Sequence, residues 1–491
     1  MMKENSNTVQ TFWVSLGSLF SFGLVIISSM IFSRYFLKED YGTYKQVMYV
    51  YNTLLTVFTL GLPRAYSYFL PRVKETQAKD LIKKITNLFF LLGAIFSILL
   101  FIFSPQIASV LKNEDLKLAL RVFSPVPLLM LPTMGLEGIL STYRKTKFIA
   151  IYTIITRVFI LLCVALPVVV FQGNYITAII GFVIASFIAF LLALYLKYMP
   201  VKSTVKEKSD VTYKQIFQFS LPLLYASLWG ILISSADQFF ISRYFGNLVF
   251  AEFSNGSLEL PFVGMITGAC ATVLSPIFSR MSYEKVDFEK EVFPIWKSVF
   301  EKTAKLIYPL VIYCLIFADT LMIALYGQQY EISSVYFRMK LILNFFTLII
   351  FAPLLINMGK VKFYSNVHVF IAIAVIMLEY ISVKTINSPY AISIVSLICQ
   401  LSKIFILLIG VTKILQVNFW QLFPIKLMGQ ILLPSTIILF IERYLFVDLL
   451  CWDVWVTLFA SFISYVALYF VVCVTMKINY VEIIRPLFVK K

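Results

Sequence analysis

The tetrapeptide SRYF at residues 33–36 returns as SRYF at residues 242–245, an offset of 209 residues. Each copy ends an apolar run that is long enough to cross a bilayer, 11–33 and 216–242. A weaker echo at a similar spacing links two further triplets: Phe103, Ile107, Leu111 and Phe317, Leu321, Leu325. The two echoes favour a duplicated unit. Because six predicted spans separate the copies, both halves enter the membrane in the same direction, and a substrate site is expected between them near mid-bilayer.

The composition around these runs is that of a membrane protein. Of 491 residues, 60% are hydrophobic and 14% charged, and the mean hydropathy is +0.88. Soluble domains are about 45–50% apolar and about 25% charged. The run 11–33 is too long for the core of a cleavable signal peptide, so we interpret it as an uncleaved first span. The sequence therefore predicts an all-α polytopic membrane protein.

We place about 14 transmembrane helices along the chain, using the length of about 20 apolar residues that a spanning helix needs. The second of them is predicted over 46–70 and the sixth over 175–197. Prolines inside several of them predict kinks. The predicted organisation comprises an N-terminal six-helix lobe, a cytoplasmic linker, a C-terminal six-helix lobe, an additional transmembrane helix pair and a cytoplasmic tail: 1–197, 198–215, 216–413, 425–476 and 477–491.

The positive charges indicate an orientation and exclude several functions. Most of the 42 Lys and Arg residues fall in loops on one side, which predicts that both termini are cytoplasmic. The net charge of +17 is dispersed between apolar runs, so we expect no nucleic-acid partner. The six cysteines are widely spaced and His368 is the one histidine, so we expect neither a metal nor a disulfide framework. We expect no catalytic residue and no cofactor.

Three cations inside predicted spans are candidates for binding an anionic ligand: Arg64, Arg157 and Lys403. Intramembrane charges normally face a cavity or a partner. A guanidinium group can donate two parallel hydrogen bonds to the oxygens of a phosphate. We therefore predict that these residues bind a phosphorylated head group. The alternative is an ion pair that serves structure alone, for example between Arg157 and Glu137.

Three carboxylates inside predicted spans are candidates for coupling to a proton or a sodium ion: Glu137, Asp237 and Asp319. The alternative for each is a structural hydrogen bond or a position at the membrane interface.

Five short motifs resemble bacterial polysaccharide flippases of the multidrug/oligosaccharidyl-lipid/polysaccharide exporter superfamily, which includes the O-antigen and oligosaccharide repeat-unit flippases. They are FSRYFLKEDYGTY at 32–44, LGLPRA at 60–65, FSLPL at 219–223, SSADQF at 234–239 and LYGQQY at 325–330. The likeness covers nearly the whole chain, and the order and spacing of the motifs make it specific. The number of intramembrane cations is smaller than the strongly basic cavities of the superfamily would imply.

The resemblance implies two six-helix lobes in a V around a central cavity, with an extra helix pair. It also implies a multi-pass protein of the bacterial inner membrane that flips an undecaprenyl-diphosphate-linked oligosaccharide to the outer leaflet by alternating access. The implied partners are this substrate, membrane lipids, and the polymerase and chain-length regulator proteins of surface polysaccharide synthesis, including lipopolysaccharide O-antigen.

Two other functions stay open. An ion-coupled exporter of drugs or small solutes would need a compact acidic pocket in one lobe, whereas the acids here are scattered. A membrane-embedded polysaccharide polymerase would need a large outer loop or a soluble domain with clustered carboxylates, and neither is visible in the sequence.

Overall fold

Helices form all the regular secondary structure of residues 7–202 and 207–480, which are the residues described by the computed structural model of the chain. This confirms the all-α class. The predicted tail 477–491 lies outside the described residues beyond position 480. The chain divides into two compact units, the N unit and the C unit, with the border between Ala251 and Glu252.

In the described residues of the N unit, eleven α-helices begin. They are α1 (Asn7–Tyr35), α2 (Lys38–Phe58), α3 (Pro63–Phe69), α4 (Glu75–Ile102), α5 (Ser104–Leu111), α6 (Asp115–Phe123), α7 (Pro125–Met130), α8 (Leu136–Thr142), α9 (Lys147–Phe171), α10 (Tyr175–Tyr198) and α11 (Tyr213–Gly256). The last of these bends at Gly246, whose backbone is non-helical, and ends in the C unit.

Nine α-helices belong to the C unit as far as residue 480, where the described residues end. They are α12 (Pro261–Glu284), α13 (Phe293–Ile316), α14 (Ala318–Tyr326), α15 (Ser333–Thr347), α16 (Ala352–Asn357), α17 (Val361–Thr385), α18 (Pro389–Leu415), α19 (Ile425–Arg443) and α20 (Val454–Thr475). Short π-helical segments precede α13 and follow α19.

Eleven of the described helical segments are long and apolar enough to cross a membrane. The pair formed by α13 and α14, which bend by 76° at Phe317, would be a twelfth span. The chain is thus a multi-pass membrane protein, and the sequence-based count of 14 spans stays a prediction.

The second predicted span is broken near its middle. Leu60 and Gly61 adopt left-handed backbone conformations, with φ of 49° and 71°, between α2 and α3. A Cβ atom on Gly61 would lie 2.7 Å from the backbone oxygen of Ser220, so both the conformation and the space favour glycine. Pro63 follows as the first residue of α3. Proline is well suited to a first helical turn because its missing N–H has no partner there anyway.

The predicted linker packs against the beginning of α4. Lys84 donates to the backbone oxygens of Ser209 and Val211 over 2.8 and 3.1 Å, and Asp80 accepts from the Ser209 backbone N–H over 3.0 Å. Gln77 donates to Asp210 over 3.0 Å. These bonds attach residues 209–211 of the linker to α4.

The second SRYF motif packs against α2 through a small buried polar network. Gln46 donates to Ser242 over 2.8 Å, and Asn113 donates to both Gln46 and Thr43. Next to this network α2 comes very close to α11, because a Cβ atom on Gly42 would lie 2.1 Å from the backbone oxygen of Asn247. Only glycine fits this contact without a shift of one helix.

The bend between α13 and α14 is secured by two arginines from other helices. Arg338 of α15 and Arg443 of α19 both donate to Asp319 Oδ2, over 2.6 and 2.8 Å. The same guanidinium groups donate to the backbone oxygens of Leu315 and Ile316, over 3.3 and 2.7 Å. Because the bend frees carbonyl groups at the end of α13, these donors replace the lost helical hydrogen bonds. Arg443 thereby ties the appended pair, which consists of α19 and α20, to α13 and α14.

We predict that Gly42→Ala lowers the free energy of unfolding by about 1–3 kcal/mol, the usual cost of forcing a side chain into a packed contact. The measurement is thermal stability of the purified protein in detergent. Gly23→Ala on α1 is the matched control, because a Cβ atom there would meet nothing within 4 Å. Equal melting temperatures for the two variants would contradict the close approach of α2 and α11.

We predict that Arg443→Lys destabilises the protein nearly as much as Arg443→Gln, by about 1–2 kcal/mol, because a lysine ammonium cannot bond Asp319 and the Ile316 carbonyl in one fork. Thermal stability is again the measurement. Arg280→Gln is the control, since Arg280 forms an exposed pair with Glu284 whose loss should change little. Full rescue by lysine would show that the fork geometry is unimportant.

Candidate functional site

Arg157 lies in the middle of the spanning helix α9 and is half-buried. Its Nε donates to the hydroxyl of Ser21 on α1 over 2.9 Å. The phenol groups of Tyr44 and Tyr152 are its electrostatic neighbours. Within residues 7–202 and 207–480, Arg157 forms no ion pair, and the pairing with Glu137 that we considered is not formed. The guanidinium group therefore keeps donors that can serve a ligand.

A second cation of the N unit approaches the same helix. The ammonium group of Lys45 on α2 lies 3.5 Å from the hydroxyl of Ser29 on α1 and 5.1 Å from the ring centre of Tyr41. The sequence analysis missed Lys45, because we placed the start of the second span at residue 46, whereas α2 begins at Lys38. Serines 21 and 29 of α1 thus each face a cation from a neighbouring helix.

Arg64 and Glu137 are exposed, on α3 and α8. Arg64 follows the left-handed break at Leu60 and Gly61, so its side chain begins a new helix in the middle of the predicted span. The part of the chain that the structure describes offers neither side chain a hydrogen bond or an ion pair. In the described residues, Arg64 and Arg157 have no hydrogen-bond partner in common.

Lys403 has a second lysine and a histidine as neighbours in the C unit. It is half-buried on α18, and its electrostatic neighbours are Lys340 of α15 and His368 of α17. The ring nitrogen Nδ1 of His368 lies 2.9 Å from the backbone oxygen of Tyr364. The sequence indicated Lys403 alone, because residues on three separate helices cannot be grouped from their spacing.

The two remaining carboxylate candidates have different surroundings. Asp237 is buried on α11, where its Oδ1 accepts the backbone N–H of Gln238 over 2.8 Å. Asp319 is engaged by the two arginines described above. The sequence did not reveal this engagement, because Arg443 is far from Asp319 along the chain.

Lys197 is a buried cation at the end of the sixth predicted span, where the sequence analysis counted it among the charges of the cytoplasmic side. At the end of α10 its side chain is completely buried, and its ammonium group donates to the Met134 backbone oxygen over 2.6 Å and to the Tyr66 hydroxyl over 3.2 Å. The rings of Tyr66 and Phe89 lie 4.7 and 5.5 Å away. These contacts give Lys197 a structural role in joining α3, α4 and α10.

An open apolar groove of about 570 Å³ lies along α19 and α20. It is lined almost wholly by carbon atoms, and Lys426 lies at the α19 start of the groove. The apolar lining includes Leu433, Ile437 and Val472. Because both helices are membrane spans, the groove is a place where an alkyl chain can lie.

Comparisons with known proteins agree with this helical architecture. The structure of the lipid II flippase MurJ in an inward closed conformation matches with a TM-score of 0.72 and 16% identity, over 96% of this chain and 99% of that chain. An inward-facing multidrug resistance MATE family transporter of the MOP superfamily matches with a TM-score of 0.57 and 13% identity, over 84% and 96%. These likenesses establish a shared fold.

The sequence comparisons give the family. An uncharacterized membrane protein of Methanocaldococcus jannaschii is 24% identical over 432 residues, which cover 83% of this chain and 97% of that protein. Residues 31–335 match the family described as polysaccharide biosynthesis protein. This match covers more than half of the chain and confirms the resemblance drawn from the sequence motifs. The chain belongs to the polysaccharide biosynthesis protein family and has the fold of the MurJ and MATE transporters.

Proposed function

We propose that this protein is a flippase that moves an undecaprenyl-diphosphate-linked oligosaccharide from the cytoplasmic to the outer leaflet of the bacterial inner membrane by alternating access. Membership of a polysaccharide biosynthesis family and a fold shared with a lipid II flippase support a transporter of this kind. The substrate, the direction and the inner-membrane location are parts of the proposal.

The observation that carries the proposal is Arg157. A guanidinium group in a spanning helix costs a few kcal/mol unless a partner compensates it. Here the one hydrogen-bond partner in the described residues is the neutral hydroxyl of Ser21, so the positive charge is not cancelled. A diphosphate supplies the missing negative charge and accepts two parallel N–H bonds. We propose that Arg157, with Arg64 and Lys403 as further candidates, binds the diphosphate.

Lys45 extends the proposed phosphate site. Its ammonium group and the Arg157 guanidinium group both reach serine hydroxyls of α1, so the two cations lie on helices that pack against one element. Two cations match the charge of a diphosphate better than one. The two cations Lys403 and Lys340 support a second contact region in the C unit.

The physical need for such a site follows from the substrate. A diphosphate and its sugars cannot cross about 30 Å of hydrocarbon unaided, because burying unpaired charges and hydroxyl groups is prohibitive. A protein path that supplies cations removes this barrier while the polyprenyl chain stays in lipid. The apolar groove on α19 and α20 can accommodate part of that chain. The transfer itself requires no covalent chemistry, so we propose a transporter rather than an enzyme.

Glu137 and Asp237 are the carboxylates that we propose for coupling to a proton or sodium ion. Asp319 was a third candidate for ion coupling in the sequence, but its charge is already balanced by two guanidinium groups. Movement of one elementary charge through 100 mV is worth about 2.3 kcal/mol, which is enough to bias a transport cycle.

An ion-coupled exporter of small solutes is the second candidate, because the MATE transporters share the fold. Such a protein would select cationic or neutral compounds with acidic residues. The half-buried charged side chains described above are mostly cations, which favours an anionic substrate. No observation favours the polymerase alternative.

We predict that Arg157→Ala abolishes surface glycan export and binding of undecaprenyl diphosphate to the purified protein, because the phosphate loses its fork of donors. Arg157→Lys should keep part of both, since it keeps the charge. Arg64→Ala should also abolish export. Glycan is measured with a specific lectin, protein levels by immunoblot, and binding by ligand-dependent thermal stabilisation.

The matched control is Arg280→Ala, which removes an exposed arginine whose partner Glu284 lies one helical turn away. It should export normally. Undecaprenyl monophosphate should stabilise the wild-type protein less than the diphosphate does. Normal export by both Arg157→Ala and Arg64→Ala would contradict the proposed phosphate site.

We predict that a reporter fused after Lys491 reports a cytoplasmic location, because the Lys-rich and Arg-rich loops are expected to face the cytoplasm. A paired fusion of alkaline phosphatase and green fluorescent protein provides the measurement. The fluorescent fusion should be active and the phosphatase fusion inactive. The opposite result would reverse the proposed topology and the direction of transport.

A further inference from the structure

In α20 of the appended pair, the polar residues face the protein and the apolar residues face outward, the reverse of a helix on the surface of a soluble protein. The buried residues of α20 recur every fourth position and carry hydroxyl or thiol groups: Thr457, Ser461, Tyr465, Tyr469 and Cys473. The exposed face is apolar, with Phe459, Ile463 and Phe470 each about two-thirds exposed. The helix therefore turns its polar stripe toward protein and its apolar face outward, as expected of a span that borders lipid on one side.

A carboxyl group lies against this stripe. Glu442 belongs to the buried face of α19, together with Ile431, Ser435 and Leu439, and it is only 3% exposed. Its Oε1 accepts a hydrogen bond from Ser464 of α20. Its Oε2 has no hydrogen-bond partner within the part of the chain that the structure describes.

In the described part of the chain, the electrostatic neighbours of Glu442 include the phenol groups of Tyr313 and Tyr465, which do not supply a compensating charge. On α13, the hydroxyl of Tyr313 bonds Ser461 over 3.0 Å and the Leu458 backbone oxygen over 2.9 Å. On α20, the hydroxyl of Tyr465 donates to the Pro309 backbone oxygen over 3.3 Å.

The nearest arginine in sequence is also engaged elsewhere. Arg443 follows Glu442 directly, but its guanidinium group is directed to Asp319 of α14 and to the Ile316 backbone oxygen. Of the described ion pairs, none involves Glu442. Among the described residues, the carboxyl group is thus left with a single hydroxyl donor.

From this geometry we propose that Glu442 is a proton-binding site inside the membrane, which holds a neutral carboxylic acid when the appended pair is packed as seen here. An ionised carboxylate with one hydrogen-bond donor, in a span and almost fully buried, would be strongly unfavourable. A proton on Oε2 removes the charge, and Oε1 then acts as a carbonyl that accepts the Ser464 hydroxyl. This inference does not depend on the proposed transport function.

The site has a consequence for the packing of α19 and α20. Loss of the proton would leave a negative charge among Ser464, Tyr313 and Tyr465. Water or a cation would then have to enter the contact between the appended pair and α13. Proton binding at Glu442 is therefore coupled to the contact between the appended pair and α13.

The experiment is labelling of the purified full-length protein with dicyclohexylcarbodiimide, an apolar reagent that attacks neutral carboxylic acids. The carboxyl oxygen adds to the central carbon of the reagent while the acid proton moves to a reagent nitrogen, and acyl migration leaves a stable N-acylurea. Mass spectrometry should find the adduct on the peptide containing Glu442, increasing as the pH falls and lost in Glu442→Gln.

Infrared spectroscopy provides a second measurement that does not depend on access of the reagent. The carbonyl band of a neutral carboxylic acid should be present in the wild-type protein and lost in Glu442→Gln. In Ser464→Ala the band should remain but move to higher frequency, because the carbonyl loses its hydrogen bond. Identical wild-type and Glu442→Gln spectra in this region would overturn the proposal.

A comparison of two salts distinguishes proton binding from sodium binding at Glu442. Sodium chloride and choline chloride at equal concentration should leave the labelling of Glu442 unchanged. Suppression by sodium alone would show that the carboxylate binds sodium ion and would overturn the assignment to a proton.

Discussion

Hydrocarbon offers no hydrogen-bond partner, so every polar group in a membrane span must be satisfied by the protein, by a ligand or by a proton. This constraint explains the arrangement of charge in the chain. At the bend after α13, Asp319 and two arginines satisfy one another and the freed carbonyl groups. Lys197 finds a carbonyl oxygen, a phenol and two aromatic rings. Arg157 has one hydroxyl as its hydrogen-bond partner in the described residues and no opposite charge there, so it is less fully compensated than either of these structural charges.

The fold class could be predicted because it depends on quantities that a sequence states directly. Apolar runs of spanning length leave no other class for the chain, and the motifs indicated the family that the comparison confirmed. The span count could not be settled in the same way. Whether α13 and α14 form one span depends on the bend at Phe317, and that bend is stabilised by residues of distant helices. The break at Leu60 and Gly61 likewise depends on contact with α11.

The candidate site was predictable in its residue types but not in its pairings. Arg157 stands out between apolar neighbours, whereas its partner Ser21 is one of many serines in the sequence. Lys45 and Lys197 fell at predicted helix ends, where a cation has water available and needs no special partner. In the structure α2 begins at Lys38, well before the predicted start of the span, and both ammonium groups contact protein. A shift of a few residues in a helix boundary therefore changes the interpretation of a charge.

The same reasoning separates a binding charge from a structural one. A carboxylate beside Arg157 would stabilise the resting protein, but a phosphate would then have to displace it, and the gain on binding would be small. A serine fixes the direction of the guanidinium group through Nε and leaves the remaining donors for an incoming anion. Because the serine carries no charge, it does not compete with the anion for the guanidinium group. After the anion leaves, the hydrogen bond between Arg157 and Ser21 is still in place. Incomplete compensation of a half-buried cation thus suits repeated binding and release of a phosphate.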